Sequence, residues 1–171
     1  MEKIKFNYKY IKKDKCYNIT MTLNDEYFMK EALKEAKKAY KKGEVPIGCV
    51  IVDNNSKEIL AKSHNLKEKE LNVSSHAEIL AIKKASKVRE NRRLEDTTLY
   101  VTVEPCVMCA SAIIQSRISR VVFGLFEKET GGFGGKIDLT KDFQTNLTVS
   151  NGVLKEKIEK LMKKFFEERR L

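Results

Sequence analysis

The segment TTLYVTVEPCVMCASAIIQSRISRVVFG, residues 97–124, determines the predicted fold. Its first part is rich in β-branched residues and ends at Pro105, a composition that favours a buried strand. Residues 106–116 have the length and apolar content of a helix, and residues 118–124 form a second strand pattern. Because two strands joined by one helix are nearly always parallel with a right-handed crossover, the segment predicts an α/β architecture.

The preceding residues predict a helix, a hairpin and a second helix. The first helix should begin after a cap at Asn24 or Asp25 and end near Gly43. VPIGCVIVD and KEILAKSHN, residues 45–65 with their intervening turn, have the pattern of a hairpin. The second helix should begin at about Ser75.

The residues after 124 predict a loop, a short strand and a closing helix. Residues 127–136 hold four of the eight glycines. LTVSNG, residues 147–152, suggests a strand, and residues 153–170 form a strongly amphipathic helix. The order α-β-β-α-β-α-β-β-α predicts a three-layer α/β/α sandwich around a mixed, mostly five-stranded sheet.

Composition limits the class of protein. The chain has 171 residues, of which 42% are hydrophobic and 34% charged, as expected for one soluble domain over residues 23–171 behind a basic leader over 1–22. It has no run of about 18 apolar residues and no secretory signal, so we expect a cytoplasmic protein without membrane segments. The net charge of +10 is concentrated at the ends, with +4 in residues 1–20 and +3 in residues 151–171. Such ends suit phosphate contacts or a solvated surface equally well.

Two short segments, SSHAE and EPCVMC, carry the candidate chemistry. Zinc favours imidazole and thiolate ligands, and a catalytic site uses three protein ligands and leaves a fourth position open. His76, Cys106 and Cys109 provide such a set at the starts of two predicted helices. Glu78 then lies close enough to move protons without binding the metal. A single C-x-x-C is also compatible with redox chemistry or a structural zinc site, but the combined pattern is the signature of zinc deaminases.

Three other candidate side chains have simpler interpretations. Cys49 lies in an apolar run and is interpreted as a core residue. His64 is interpreted as an ordinary surface or core histidine, because the sequence offers it no metal partner. Cys16 has no assignable role.

A wider resemblance accompanies the metal signature. It covers residues 27–170, and the segments that carry it are EVPIGCVIV (44–52), the Asn of SHN (63–65), SHAEILAI (75–82), residues 98–124, TG (130–131) and FFEERR (165–170). On these residues the chain resembles the cytidine deaminase superfamily and, within it, the tRNA-specific adenosine deaminases.

The resemblance implies zinc-dependent hydrolysis of adenosine to inosine at wobble position 34 of a tRNA anticodon loop. Glu78 would take a proton from the attacking water and deliver protons to N1 and the leaving amino group of adenine. The backbone N–H of Ala77 would help to hold the attacking oxygen or the base, and Asn65 would hydrogen-bond the purine. One Zn²⁺ per subunit is expected.

The resemblance also implies contacts with RNA and with a second subunit. The residues expected to meet the anticodon stem-loop are Glu127, Asn146, Phe165, Arg169 and Arg170. A homodimer is expected, with the helix that bears the two cysteine ligands at its interface. Two positions depart from the family pattern: Glu127 replaces a frequent Asp, and Leu147 replaces a frequent His. The compact bacterial members of this family lack the basic leader.

Two alternatives remain open at this point. The first is a deaminase of a free base or nucleoside, such as guanine or cytosine, which would need no basic terminal helix. The second is an RNA-binding module or a subunit of a heteromeric deaminase. The intact Glu78 argues against a catalytically silent protein.

Overall fold

A computed structural model of the chain describes residues 7–8, 19–20 and 23–169. Its elements lie in the predicted order, with two short strands before them and one short helix added. The elements are β1 Asn7–Tyr8, β2 Ile19–Thr20, α1 Leu23–Lys41, β3 Gly48–Asp53, β4 Ile59–His64, α2 Ala77–Val88, β5 Thr97–Val103, α3 Val107–Gln115, β6 Arg120–Leu125, α4 Leu139–Asp142, β7 Thr148–Asn151 and α5 Lys155–Glu167.

Five strands form one mixed sheet in the order β4-β3-β5-β6-β7. Strand β3 pairs antiparallel with both β4 and β5, whereas β5, β6 and β7 run parallel to one another. The parallel pairing of β5 with β6 begins at Thr98 opposite Arg120. All seven residues of the central strand β5 are buried, because helices cover both of its faces.

Two hydrophobic clusters lie on opposite faces of the sheet. Helices α2 and α3 cover one face through small side chains that include Ala81 and Ala110. Helices α1 and α5 cover the other through Met29, Ala32 and Ile158. The structure is therefore a three-layer α/β/α sandwich, and the predicted fold class is confirmed.

Helix α1 approaches the sheet closely at Gly48, the first residue of β3. A Cβ atom built there would lie 2.1 Å from the carbonyl oxygen of Ala32 and 2.3 Å from the backbone nitrogen of Ala36. Helix α1 can therefore pack on the start of β3 only because this residue has no side chain.

Several predicted boundaries differ from the structure. Helix α1 begins at Leu23, before the predicted cap at Asn24 or Asp25. The Asp25 carboxylate instead accepts hydrogen bonds from Tyr100 and, in bidentate geometry, from Arg120. Helix α2 begins at Ala77 rather than near Ser75.

The division into a leader over 1–22 and a domain over 23–171 stays a prediction, because most of the leader, including Cys16, lies outside the described residues. No helix in the described part of the chain is long and apolar enough to cross a membrane.

Candidate metal centre and base-binding site

Two helix N-termini carry the candidate metal ligands. His76 is the N-cap residue of α2, and Cys106 is the N-cap residue of α3. Neither side chain caps its own helix, so both are free to turn towards a shared point. Cys109 lies in the first turn of α3 and is fully buried. The sheet thus brings together residues that are 30 or more positions apart in sequence.

The distances within this cluster suit a tetrahedral zinc ion. His76 Nδ1 lies 3.7 Å from Cys106 Sγ and 3.5 Å from Cys109 Sγ. Zinc bonds of about 2.3 Å to sulfur and about 2.0 Å to nitrogen place neighbouring tetrahedral ligands about 3.5 Å apart. Within residues 23–169 no fourth His, Cys, Asp or Glu joins the cluster. Three ligands leave one coordination position open, as in catalytic rather than structural zinc sites.

The two thiols differ in acidity because they contact each other. Contacts with Cys109 and with His76 lower the pKa of Cys106 to about 4, although burial opposes this shift. The same contact with Cys106, together with burial, raises the pKa of Cys109. Cys106 therefore offers a thiolate, and metal binding would displace the proton held by Cys109. The contact with Cys106 also raises the pKa of His76.

Glu78 lies in the first turn of α2 and is only 3% exposed. Its Oε2 atom is buried and has no hydrogen-bond partner among the described residues. Burial raises the pKa of this carboxyl group to about 7, because the interior disfavours the charged form. A buried carboxylate oxygen without a partner fits a site whose metal, water or substrate supplies the missing contact.

The part of the chain that contains this site matches a known protein family. Residues 22–125 match the family described as the cytidine and deoxycytidylate deaminase zinc-binding region, and this span contains all three ligands and Glu78. The chain belongs to this deaminase family. The resemblance inferred from the sequence is confirmed, and zinc is the metal that the donor set fits.

Individual relatives show which deaminases this chain is similar to. The tRNA-specific adenosine deaminase of Bacillus subtilis is 49% identical over 85% of this chain and 91% of its own length. The enzyme of the same name from Haemophilus influenzae is 42% identical, with 85% of each chain covered. A solved structure from a study of A-to-I editing by tRNA:A34 deaminases has a TM-score of 0.75 and 33% identity, covering 79% of this chain and 98% of that one. The guanine deaminase of Nitrosomonas europaea, at 20% identity and a TM-score of 0.73, shares the fold.

Both predicted base-binding residues lie in segments that adjoin His76. Asn65 follows β4 and is 5% exposed. Its neighbour Leu66 donates a backbone hydrogen bond to the carbonyl of Ser75, 3.0 Å away, which joins the Asn65 loop to the residue before His76. Ala77 is the first residue of α2 and is completely buried.

The residues predicted to contact RNA have varied surroundings. Phe165 is 3% exposed, and the Arg169 guanidinium lies 4.1 Å from the centre of its ring. Asn146 is exposed, and Glu127 is half-buried in the loop after β6. Arg170 lies outside the described residues. The roles of all five residues in RNA binding stay predictions.

Sequence reasoning missed Glu104, which is 3% exposed at the end of β5. Its Oε1 accepts hydrogen bonds from the backbone N–H groups of Phe133 at 2.8 Å and Gly135 at 2.9 Å. Its Oε2 accepts one from the backbone of Glu127 at 2.9 Å. A Cβ atom at Gly135 would lie 2.3 Å from this carboxylate, so the glycine permits the approach. The signal in the sequence was an acidic residue directly after a strand rich in β-branched residues.

The loop held by Glu104 also contacts the metal-binding helix. Val107 donates a backbone hydrogen bond to Thr130, and Gly132 donates one to Pro105. One carboxylate thus attaches the glycine-rich loop to the start of α3.

Two other residues agree with their simpler interpretations. Cys49 is fully buried in the core. The His64 ring contacts Glu35 and Lys42, away from the metal ligands.

Proposed function

We propose that this protein converts adenosine to inosine by hydrolysis at wobble position 34 of a tRNA anticodon loop. The observation that carries the proposal is the unpartnered Glu78 oxygen beside a three-ligand zinc site, in a chain 49% identical to a tRNA-specific adenosine deaminase. Such a substrate implies action in the cytoplasm, where mature tRNA is used.

Metal binding and proton transfer are carried out by different residues of the site. When bound by His76, Cys106 and Cys109, zinc supplies an activated water near neutral pH. Glu78 accepts a proton from the attacking water and passes it to N1 of adenine. It then takes the second proton of that water from the new hydroxyl group on C6 and passes it to the amino group, so that ammonia can leave. A buried carboxyl group with a pKa of about 7 is suited to both steps, since it can hold or release a proton near neutral pH.

The base must enter this site from a single strand. An adenine in a stem is stacked and paired, whereas an anticodon-loop base can be turned outwards at lower cost. We assign the purine contacts to Asn65 and to the backbone N–H of Ala77. Glu127, Asn146 and the terminal helix with Phe165, Arg169 and Arg170 would contact the RNA around the flipped base.

A homodimer belongs to the same proposal. The first turn of α3 exposes Val107 and Met108, each 39% accessible. Both apolar side chains lie on the helix that also supplies Cys109, where a second subunit could cover them. Light scattering at working concentration should give twice the chain mass, and a monomer there would refute this assignment.

Inosine formation in a synthetic anticodon stem-loop with adenosine at position 34 tests the activity. Free adenosine, cytidine and guanine serve as parallel substrates, with Glu78→Ala as the inactive variant. Glu58→Gln, a change at an exposed residue of the β3–β4 hairpin, is the matched control. We expect inosine at position 34 alone, lost in Glu78→Ala and retained in the control. Activity on a free base only would support the alternative substrate class and reject tRNA, and inactivity of the zinc-loaded protein would point to a missing partner chain.

A further inference from the structure

A second buried carboxylate, Glu44, lies next to the proposed base-binding residue. It is in the turn between α1 and β3, and only 1% of it is exposed. Its backbone N–H donates to the carbonyl of Ala39 at 3.1 Å, which anchors the turn to the end of α1. Within the described part of the chain, no Lys or Arg forms an ion pair with its carboxylate. Burial of a carboxylate without such a partner requires other hydrogen-bond donors.

Those donors all come from the loop after β4. The backbone N–H of Lys69 lies 2.7 Å from Glu44 Oε1, and that of Glu68 lies 3.2 Å from Oε2. The third donor is the side-chain Nδ2 of Asn65, 3.3 Å from Oε2. A single side chain therefore holds both the backbone of this loop and the amide group of Asn65.

This contact determines which way the Asn65 amide faces. A carboxylate that already receives two backbone N–H groups can only accept, so the amide must turn its NH₂ group towards Glu44. One N–H of Nδ2 then remains for another acceptor. The Oδ1 atom receives only a long contact, 3.4 Å from the backbone nitrogen of Lys67, and keeps a lone pair available.

We propose that Glu44 is a positioning residue, which fixes the Asn65 amide in the orientation that meets the purine. The inference rests on the proposed function, because that function assigns Asn65 to the base. Without the carboxylate, the amide can rotate by half a turn and exchange its donor and acceptor. The base edge would then meet the wrong group, although the metal ligands and Glu78 are unchanged.

A double-mutant cycle separates this role from a general structural one. Glu44→Gln keeps the size of the side chain but places an NH₂ group against either Lys69 or Asn65. With Asn65 present, we expect kcat/KM on the stem-loop to fall about 10-fold, since hydrogen bonds to a charged group are the stronger kind. In an Asn65→Ala background the same change should cost less than about 2-fold. Equal losses in the two backgrounds, or an Asn65→Ala variant of full activity, would overturn the proposal.

A spectroscopic measurement tests the orientation without relying on activity. In ¹H–¹⁵N spectra of the zinc-loaded protein, the Asn65 side-chain NH₂ pair is identified by its absence in Asn65→Ala. Glu44→Gln should move the downfield proton of that pair, whereas Glu58→Gln should leave it in place. An unmoved pair would refute the positioning role. If the wild-type protein formed no inosine, the proposed function would fail while this spectrum still decided the orientation.

Discussion

Replacement of Glu104 by Gln should loosen the loop over residues 126–138 while leaving the metal ligands in place. The Glu104 carboxylate accepts three backbone N–H groups, two on Oε1 and one on Oε2. A carboxamide has a single oxygen, so it can keep at most the pair from Phe133 and Gly135. Its NH₂ group would then face the backbone N–H of Glu127, donor against donor.

The size of the effect follows from these contacts. A hydrogen bond to a charged group contributes about 1.5–3 kcal/mol, and loss of a partner leaves a buried donor unsatisfied. Because Glu104 is only 3% exposed, solvent offers little compensation. One lost bond and a weaker remaining pair amount to about 2–4 kcal/mol. Phe133 and Leu139 still anchor the loop in the core, so we expect local opening rather than global unfolding.

Hydrogen exchange measures this opening directly. In the zinc-loaded Glu104→Gln protein, the amides of Phe133 and Gly135 should lose roughly 30- to 1,000-fold of their protection, since about 1.4 kcal/mol corresponds to a factor of ten. Zinc stoichiometry should stay at one per chain. Glu129→Gln, an exposed change in the same loop, is the control. A change in protection below about 3-fold, or an equal loss in the control, would refute the reasoning.

Three further predictions concern the site and the fold. Glu78→Gln should retain zinc but lower kcat for inosine formation by at least about 100-fold, because proton transfer is lost; zinc analysis and a stem-loop assay check both. Although burial opposes it, hydrogen bonds from Lys38 and His64 lower the pKa of Glu35 below 4.5. The resulting stability is present above pH 4.5 and lost as the pH falls further, so urea titrations of Glu35→Gln should show a shallower acid slope. Asp25→Asn breaks a bidentate, partly buried ion pair in which Arg120 is 24% exposed, and it should cost about 2–3 kcal/mol in urea unfolding.

The sequence predicted those parts of the molecule that depend on local patterns. Apolar alternation and length gave the strands, and one strand–helix–strand segment implied the parallel pair β5–β6 that the structure contains. The metal cluster was predictable for a related reason. His76 and Cys106 are N-cap residues of the helices that follow β4 and β5. Because these two strands run in the same direction on either side of β3, both helices begin at one edge of the sheet.

Other parts depend on contacts that no local pattern reveals. Helix α4 has four residues and is capped by Asp138, whose side chain accepts a hydrogen bond from the backbone of Thr140. So short an element has no measurable periodicity. The predicted start of α1 was wrong because Asp25 has the residue type of an N-cap. In the structure its carboxylate instead forms an ion pair with Arg120, 95 positions away.

Glu44 and Glu104, whose roles the sequence analysis did not predict, are buried beside the site for the same physical reason. The backbone N–H groups of loops beside the site cannot form hydrogen bonds by strand pairing, so they need other acceptors. These loops must also be rigid if they are to form a binding site of defined shape. A buried Glu accepts several such groups at once, and Glu44 and Glu104 each do so for a different loop. Apart from the Asn65 amide, their hydrogen-bond partners are backbone N–H groups of distant residues, which every residue type except proline provides. The candidate metal ligands therefore lie at the starts of helices that the sequence reveals, whereas the loops beside them are held by acceptors that are visible only in the fold. Substitutions of the two carboxylates should accordingly alter RNA turnover before they alter zinc binding.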